Sequence, residues 1–166
     1  MSLLATKDIK SILAEHSDDE NSFELSPKSL LSAKSCTLLI SKFSKLKSLT
    51  LRDCNLDGAS VEILVQGLEK QRMIQHLFLG LNKKLGAEGA ISVARLLLLQ
   101  PSTIETIDLS DTCCHDEGCE ALAVALKQNT TLTKLDLGGQ YPANHLTKRG
   151  MKALGDAFLS GIPLKD

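Results

Sequence analysis

The stretch I-E-T-I-D-L-S-D-T-C-C-H-D-E-G-C-E-A-L-A-V-A-L, residues 104–126, joins a short strand pattern to a helix pattern. Apolar residues at Ile104, Ile107 and Leu109 have the spacing of a strand that buries one face. Leu122 and Leu126 then lie four residues apart, on one stripe of a helix. Elements this short cannot bury their apolar faces alone, so the stretch predicts that units of the same kind stack beside it.

The rest of the chain supplies three more of these units. The units begin at Leu46, Ile74, Ile104 and Leu132, which gives periods of 28, 30 and 28 residues. Each helix is predicted to open at a small residue and to bury the residues four and eight positions later. The residues predicted to open the helices are Ser60, Gly89, Gly118 and Gly150. The residues four positions later are Leu64, Val93, Leu122 and Leu154, and those eight positions later are Leu68, Leu97, Leu126 and Phe158. The ninth residues of the four units, counted from the first residue of each, are Cys54, Asn82, Thr112 and Gln140.

The segment from Leu46 to about Phe158 resembles the leucine-rich repeats of the ribonuclease-inhibitor-like class. The resemblance implies an α/β solenoid, a right-handed β-α superhelix with a curved parallel sheet inside and helices outside. The class includes enzyme inhibitors, immune receptors, GTPase activators and actin-capping proteins. The resemblance therefore implies a non-enzymatic protein-interaction scaffold that binds a protein on its concave sheet, or alternatively a regulator of an enzyme such as a small GTPase, and it leaves the partner open.

The two ends of the chain are predicted to differ from the repeats. Residues 1–45 are interpreted as an N-terminal helical cap, begun at Thr6, and a degenerate leading repeat with a helix from Pro27 to about Lys42. Residues 46–166 are interpreted as four leucine-rich repeats with a short C-terminal tail. The alternative is that the chain is a fragment of a larger array, in a receptor or a cytoskeletal protein.

Composition argues against two classes of partner. Lysine and arginine number 19 against 20 acidic residues, and aromatic residues make up 3% of the chain. A net charge of -1 does not favour nucleic acid or an anionic membrane surface. The N-terminal stretch carries Asp8 and Lys10 among its apolar residues, which is unlike a secretory signal peptide. Together with the odd number of cysteines, five, this indicates reduced thiols in the cytoplasm.

The predicted sheet places polar side chains in rows across its concave face, because alternate residues of a strand face opposite ways. The four rows are Ser48, His76, Thr106 and Lys134; Thr50, Phe78, Asp108 and Asp136; Arg52, Gly80, Ser110 and Gly138; and Asp53, Leu81, Asp111 and Gly139. The predicted partner-binding residues are Thr50, Arg52, His76, Phe78, Thr106, Asp108, Lys134 and Asp136. The glycines are expected to leave a shallow floor for a partner's backbone.

Two features of these rows favour binding. Phe78 stands among polar neighbours, so its ring is expected to be exposed and to act as a contact residue. Asp108 and Asp136 are expected on adjacent strands, where like charges need an offset from Lys134 or from a basic partner. Acid-base chemistry at this pair is disfavoured because an open sheet excludes little water.

Two remaining clusters have structural interpretations. Cys113, Cys114, His115 and Cys119 resemble metal ligands in type, but the repeat register points the Cys114 sulfur into the core, so no metal or cofactor is predicted. Leu98 and Leu99 stand where other repeats are mostly polar. They either pack under their own loop beside Pro101 or form a second contact surface, and the protein is expected to be a monomer or to self-associate weakly.

Overall fold

The computed structural model describes residues 9–25, 27–139 and 143–160, in which short strands alternate with longer helices. The strands are β1 Ser22–Glu24, β2 Ser48–Thr50, β3 His76–Phe78, β4 Thr106–Asp108 and β5 Lys134–Asp136. The helices are α1 Ile9–Ala14, α2 Ala33–Lys42, α3 Gly58–Gln71, α4 Gly86–Leu98, α5 His115–Leu126 and α6 Lys148–Phe158, with a short 3-10 turn at Ala143–His145 before α6. No helix in these ranges is long and apolar enough to cross a bilayer.

The five strands form one parallel sheet in the order β1-β2-β3-β4-β5. The register joins Phe23, Leu49, Leu77, Ile107 and Leu135, so each repeat sits directly over the one before it. Each helix packs against the next in a second layer. The α/β solenoid predicted from the repeats is therefore confirmed, and a further strand, β1, precedes those of the four predicted repeats.

The core lies between the sheet and the helices and consists mainly of leucine. The two helical stripes meet the strand residues there, and Leu64, Val93 and Leu122 are all buried. Burying one such side chain contributes roughly 1.5–3 kcal/mol to folding. Phe158 is the exception, with 45% of its surface exposed, because α6 packs on α5 alone among the described elements.

The predicted helix openings at Gly89 and Gly118 were wrong by three residues, since these glycines lie inside the first turn of α4 and α5. Their role is helix contact. A side chain on Gly118 would place its Cβ 2.7 Å from the Cβ of Ala90 on the adjacent helix. Ser60 and Gly150 likewise lie two residues inside their helices.

The helix of the leading repeat begins at Ala33, six residues later than predicted from Pro27. The Ser32 hydroxyl caps it by accepting from the Ser35 N–H. Residues before it are held in a loop because the Lys28 and Leu31 N–H groups donate to the carbonyls of the next repeat's loop. Helical hydrogen bonding is thus replaced by bonds between repeats. The predicted cap at Thr6 and residue Ser26 lie outside the described residues.

Buried asparagines hold the loops between repeats. The Asn82 side-chain oxygen accepts from the Cys54 N–H at 2.9 Å and the Leu56 N–H at 3.0 Å, and its amide nitrogen donates to the Leu51 and Leu79 carbonyls. Asn144 makes the equivalent contacts with Thr112, Leu109 and Leu137. The ninth-position role in the last repeat therefore belongs to Asn144 rather than to the predicted Gln140, which lies outside the described residues.

The two undecided clusters are part of the fold. Cys114 and Cys119 are both buried, with their sulfurs 3.4 Å apart, which confirms the core position of Cys114. Leu99 packs against the core beside Pro101, whereas 39% of Leu98 is exposed, so the predicted apolar spot contains only one leucine. The predicted tail from Gly161 lies outside the described residues.

Candidate functional site on the concave sheet

The side chains between the core positions of each strand form the two rows predicted from the sequence. Strand register places Ser48, His76, Thr106 and Lys134 side by side, and Thr50, Phe78, Asp108 and Asp136 beside them. Thr50, His76 and Thr106 are half-buried and Lys134 is exposed. The rows therefore present polar side chains around one aromatic ring, on a surface that hydrogen bonds between neighbouring strands hold in place.

Phe78 lies at the centre of this face and is half-buried, so it is less exposed than the sequence predicted. Its strand has a neighbour on each side, which places Thr50 and Asp108 against it in the same row. Adjacent strands lie about 4.8 Å apart, so flanking side chains cover part of a ring that stands on the sheet. The remaining face of the ring is an apolar spot framed by polar groups.

Asp108 is a buried carboxylate, with only 3% of its surface exposed. Its Oδ1 accepts from the Ser110 N–H at 2.9 Å and from the Ser110 hydroxyl at 2.7 Å. Its Oδ2 pairs with the Arg52 guanidinium, whose Nη2 also donates to the Ser110 Oγ at 3.5 Å. The charge of Asp108 is thus balanced within the chain by Arg52, and the expected offset by Lys134 or a basic partner was wrong for this residue.

Gly80 allows this ion pair to form. Arg52 follows β2 and Asp108 ends β4, so the pair reaches across β3. A Cβ on Gly80 would lie 2.6 Å from the Ser110 Oγ and 2.8 Å from the Asp108 Oδ2. The predicted open floor at Gly80 is therefore occupied by the Asp108 carboxylate and the Ser110 hydroxyl, whereas Gly138 and Gly139 are exposed.

The last strand presents the most accessible charges of the face. Asp136 is half-buried beside Asp108, and its Oδ1 accepts from the Gly138 N–H at 2.9 Å. Lys134 lies two residues before it, exposed on the same strand. The described residues contain no group of three histidine, cysteine or acidic side chains arranged to hold a metal ion. The chemistry on offer here is hydrogen bonding, charge pairing and contact with one aromatic ring.

Sequence reasoning missed Ser110 and the structural use of Arg52. A serine two residues after an aspartate at a strand end is a signal, because its hydroxyl and N–H can both return to that carboxylate. The link from Arg52 to Asp108 left no such local signal, since the two residues belong to repeats that are not neighbours.

Comparisons with known proteins agree with this architecture. A family model described as "Leucine Rich repeat" matches residues 100–123 and 128–155. The human "NACHT, LRR and PYD domains-containing protein 5" is 31% identical over 109 residues, which are 66% of this chain and 9% of that protein. The mouse "Ribonuclease inhibitor" is 30% identical over 102 residues, 61% of this chain and 22% of that protein. The chain thus spans about a tenth to a fifth of the length of these relatives.

A solved structure shares the fold at low sequence identity. "Leiomodin-1 Actin-Binding Site 2 (ABS2)" superposes with a TM-score of 0.65 over 96% of this chain and 90% of that chain, at 15% identity. At that identity the likeness concerns the arrangement of strands and helices.

Proposed function

Because this chain is a leucine-rich repeat protein of the ribonuclease-inhibitor-like class, we propose that it is a non-enzymatic interaction module that binds a protein partner on its concave sheet. The observation that carries the proposal is the central part of that sheet, where the half-buried ring of Phe78 lies between rows of polar groups. Aromatic and arginine side chains at the centre of an interface contribute most of its binding energy.

Arg52 is the second contact residue of the proposed site. Asp108 and Ser110 hold its guanidinium, and 39% of the side chain remains exposed. A guanidinium has five N–H donors, so one edge can pair with Asp108 while another meets a partner's carboxylate or carbonyl. Since the side chain is already ordered, binding it costs little further conformational entropy. Asp108 then serves the interface by positioning Arg52.

The remaining predicted residues complete the footprint. Thr50, His76 and Thr106 offer hydrogen-bonding groups around the ring, and Lys134 and Asp136 offer charges of both signs at one side. Residues 1–45 would cover the first full repeat, and residues 46–166 would carry the face. The odd number of cysteines, five, favours a compartment in which thiols stay reduced, and we infer that the protein works in the cytoplasm.

Affinity capture from a lysate of the source organism, read by mass spectrometry, tests this proposal. The wild type is compared with a Phe78→Ser, Lys134→Glu variant of the concave face. A Leu98→Ser, Lys70→Glu variant of the outer helices is the control, and circular dichroism must show that both variants are folded. We expect partners to be lost only from the concave variant. Equal partner sets from both variants would remove the concave sheet as the binding face.

Regulation of an enzyme by covering its surface is the second candidate. It is favoured by the similarity to ribonuclease inhibitors of mouse and pig, which are 30% and 29% identical over the matched residues. The test measures RNA hydrolysis by a pancreatic-type ribonuclease, and GTP hydrolysis by a small GTPase, with and without this chain. A change in either rate that the Phe78→Ser, Lys134→Glu variant fails to produce supports the regulator, and unchanged rates for both enzymes contradict it.

A further inference from the structure

A groove of about 360 Å³ lies beside the sheet, where the loops after β1, β2 and β3 meet. We call it the loop-edge groove; the residues that matter here are Lys28, Leu30, Asp53, Leu81, Lys83 and Lys84. It lies past the carboxyl ends of the strands and is separate from the row that contains Phe78. The proposed function of the concave face does not involve these residues.

Two leucines in the loop-edge groove are exposed to solvent. Leu30 has 70% of its surface exposed and Leu81 has 41%. Each belongs to a loop whose other leucines, such as Leu31 and Leu85, are buried in the core. Two large apolar side chains on the rim of one groove are therefore available to a ligand rather than to the fold.

The backbone conformation at Leu81 is unfavourable for a leucine. Its φ is 65°, in the left-handed region that disfavours a side chain such as leucine. Two other repeats place Asp53 and Asp111 at this position, each with a φ of 52°, and aspartate tolerates that region better. The fold alone would be served better by aspartate or glycine here. A leucine that is both unfavourable in the backbone and exposed indicates a contact made outside the chain.

The charge around these leucines is positive. Three lysines line the groove against one carboxylate in its lining, that of Asp53, and the Asp57 carboxylate outside the lining interacts electrostatically with Lys84. Within the part of the chain that the structure describes, none of Lys28, Lys83 and Lys84 forms an ion pair within 4.0 Å. The loop-edge groove therefore combines apolar contact surface with ammonium groups that have no carboxylate at ion-pairing distance.

Hydrogen bonds between repeats preform the groove. The Lys28 N–H donates to the Asp53 carbonyl at 2.6 Å, the Asp53 N–H to the Gly80 carbonyl at 3.1 Å, and the Leu81 N–H to the Ser110 carbonyl at 2.7 Å. A ligand thus meets loops that are already fixed, which lowers the entropic cost of binding.

We propose that the loop-edge groove is a second docking site, which binds a short acidic segment of a partner protein through its large apolar side chains. Aspartates and glutamates of that segment would pair with Lys28, Lys83 and Lys84, while one or two leucine-sized side chains cover Leu30 and Leu81. The lysines of the groove require a segment of negative charge, and the two exposed leucines require that it also carries large apolar side chains.

Fluorescence anisotropy tests the proposal with a labelled synthetic peptide in which two leucines are set among aspartates and glutamates. We expect the full chain to bind it at low salt and to lose about tenfold or more in affinity as salt rises from about 50 mM to about 500 mM, because the Debye length falls to a few ångströms. A Lys83→Glu, Lys84→Glu variant and a Leu30→Ser, Leu81→Ser variant should each weaken binding about tenfold.

Three controls make the outcome decisive. The Leu98→Ser, Lys70→Glu variant changes a leucine of similar exposure and a lysine on the outer helices, and it should bind the peptide as the wild type does. A peptide with lysines in place of the acidic residues should not bind. Vesicles of phosphatidylserine and phosphatidylcholine should not sediment the protein. The proposal is overturned by no binding of the acidic peptide, by equal binding of both peptides, by unchanged affinity in the groove variants, or by binding to vesicles alone.

Discussion

At the scale of single residues, the ion pair of Arg52 and Asp108 contributes both to stability and to the proposed face. A buried carboxylate without a partner is strongly destabilising, whereas a half-exposed arginine can be solvated by water. The stability of the pair therefore depends mainly on keeping Asp108 paired with Arg52. Asp108 is the more buried of the two, and Ser110 satisfies its second oxygen. Losing Arg52 should therefore leave a charge that the surrounding chain does not neutralise.

We expect Arg52→Ala to lower the free energy of unfolding by about 2 kcal/mol, between the values typical of surface and of buried pairs. Asp108→Asn keeps an oxygen for Ser110 but removes the charge. In the double variant the two losses should be non-additive by about 1 kcal/mol. Urea unfolding followed by circular dichroism measures all three.

Lys70→Ala is the control for this cycle, since Lys70 is exposed on α3, and its effect should stay within about 0.5 kcal/mol. Additive losses in the cycle would mean that Arg52 and Asp108 do not interact.

The sequence predicted only part of this residue-scale picture. Alternation within a strand was enough to place Thr50, Phe78, Asp108 and Asp136 in one row, because period and register are set by the buried leucines. It was not enough to find the partner of Asp108. Arg52 lies two strands away and reaches it only because Gly80 lacks a side chain, and no rule about adjacent strands includes such a contact.

At the scale of elements, glycines determine how closely the helices pack. Gly118 on α5 faces Ala90 on α4, with no room for a methyl group. Gly155 on α6 has no atom within 4 Å of the position that a Cβ would take. The same substitution should therefore have opposite effects in two helices of the same layer.

Gly118→Ala should lower the free energy of unfolding by about 1–3 kcal/mol, because the added methyl group overpacks a rigid contact. Gly155→Ala should raise it by about 0.5–1 kcal/mol, because alanine loses less backbone entropy in a helix. Thermal unfolding of both variants beside the wild type gives the comparison. Equal shifts in the same direction would contradict this account of the α4–α5 contact.

Element boundaries were predicted less well than element types. The repeat spacing identified four helices and four strands because it reports which residues face the core. It did not report where hydrogen bonding within a helix starts. At Ala33 that start depends on the Ser32 cap and on bonds from Lys28 and Leu31 to the adjacent loop, which are contacts between repeats.

At the scale of the whole molecule, carboxylates that cap a helix within a repeat or tie adjacent repeats together set the response to acid. Hydrogen bonds from Ser92 and Arg95 lower the pKa of Glu62, and those from Ser60 lower the pKa of Asp57. Thr147 does the same for Asp116, whose Oδ1 accepts from the Thr147 N–H at 2.8 Å at the start of α6. Each group binds its proton more weakly in the folded state than in the unfolded chain.

A lowered folded pKa gives stability that is present above the unfolded value and is lost as pH falls through the folded value. We therefore expect the free energy of unfolding to be steady from about pH 7 to about pH 5.5 and to decrease below about pH 4.5. Urea titrations across this range measure it. In a Glu62→Gln, Asp57→Asn variant the decrease should be shallower. A variant curve as steep as the wild type would show that these carboxylates are not responsible.

The link from Arg52 over Gly80 to Asp108 also changes how the array comes apart. Repeat arrays behave approximately as chains of units in which each unit is coupled only to its neighbours, so terminal units can peel away one at a time. Here the first full unit is coupled to the third as well, which clamps the second between them. The three units should then unfold in one cooperative step. Unfolding that begins at the amino-terminal side should populate no intermediate until it has passed β4.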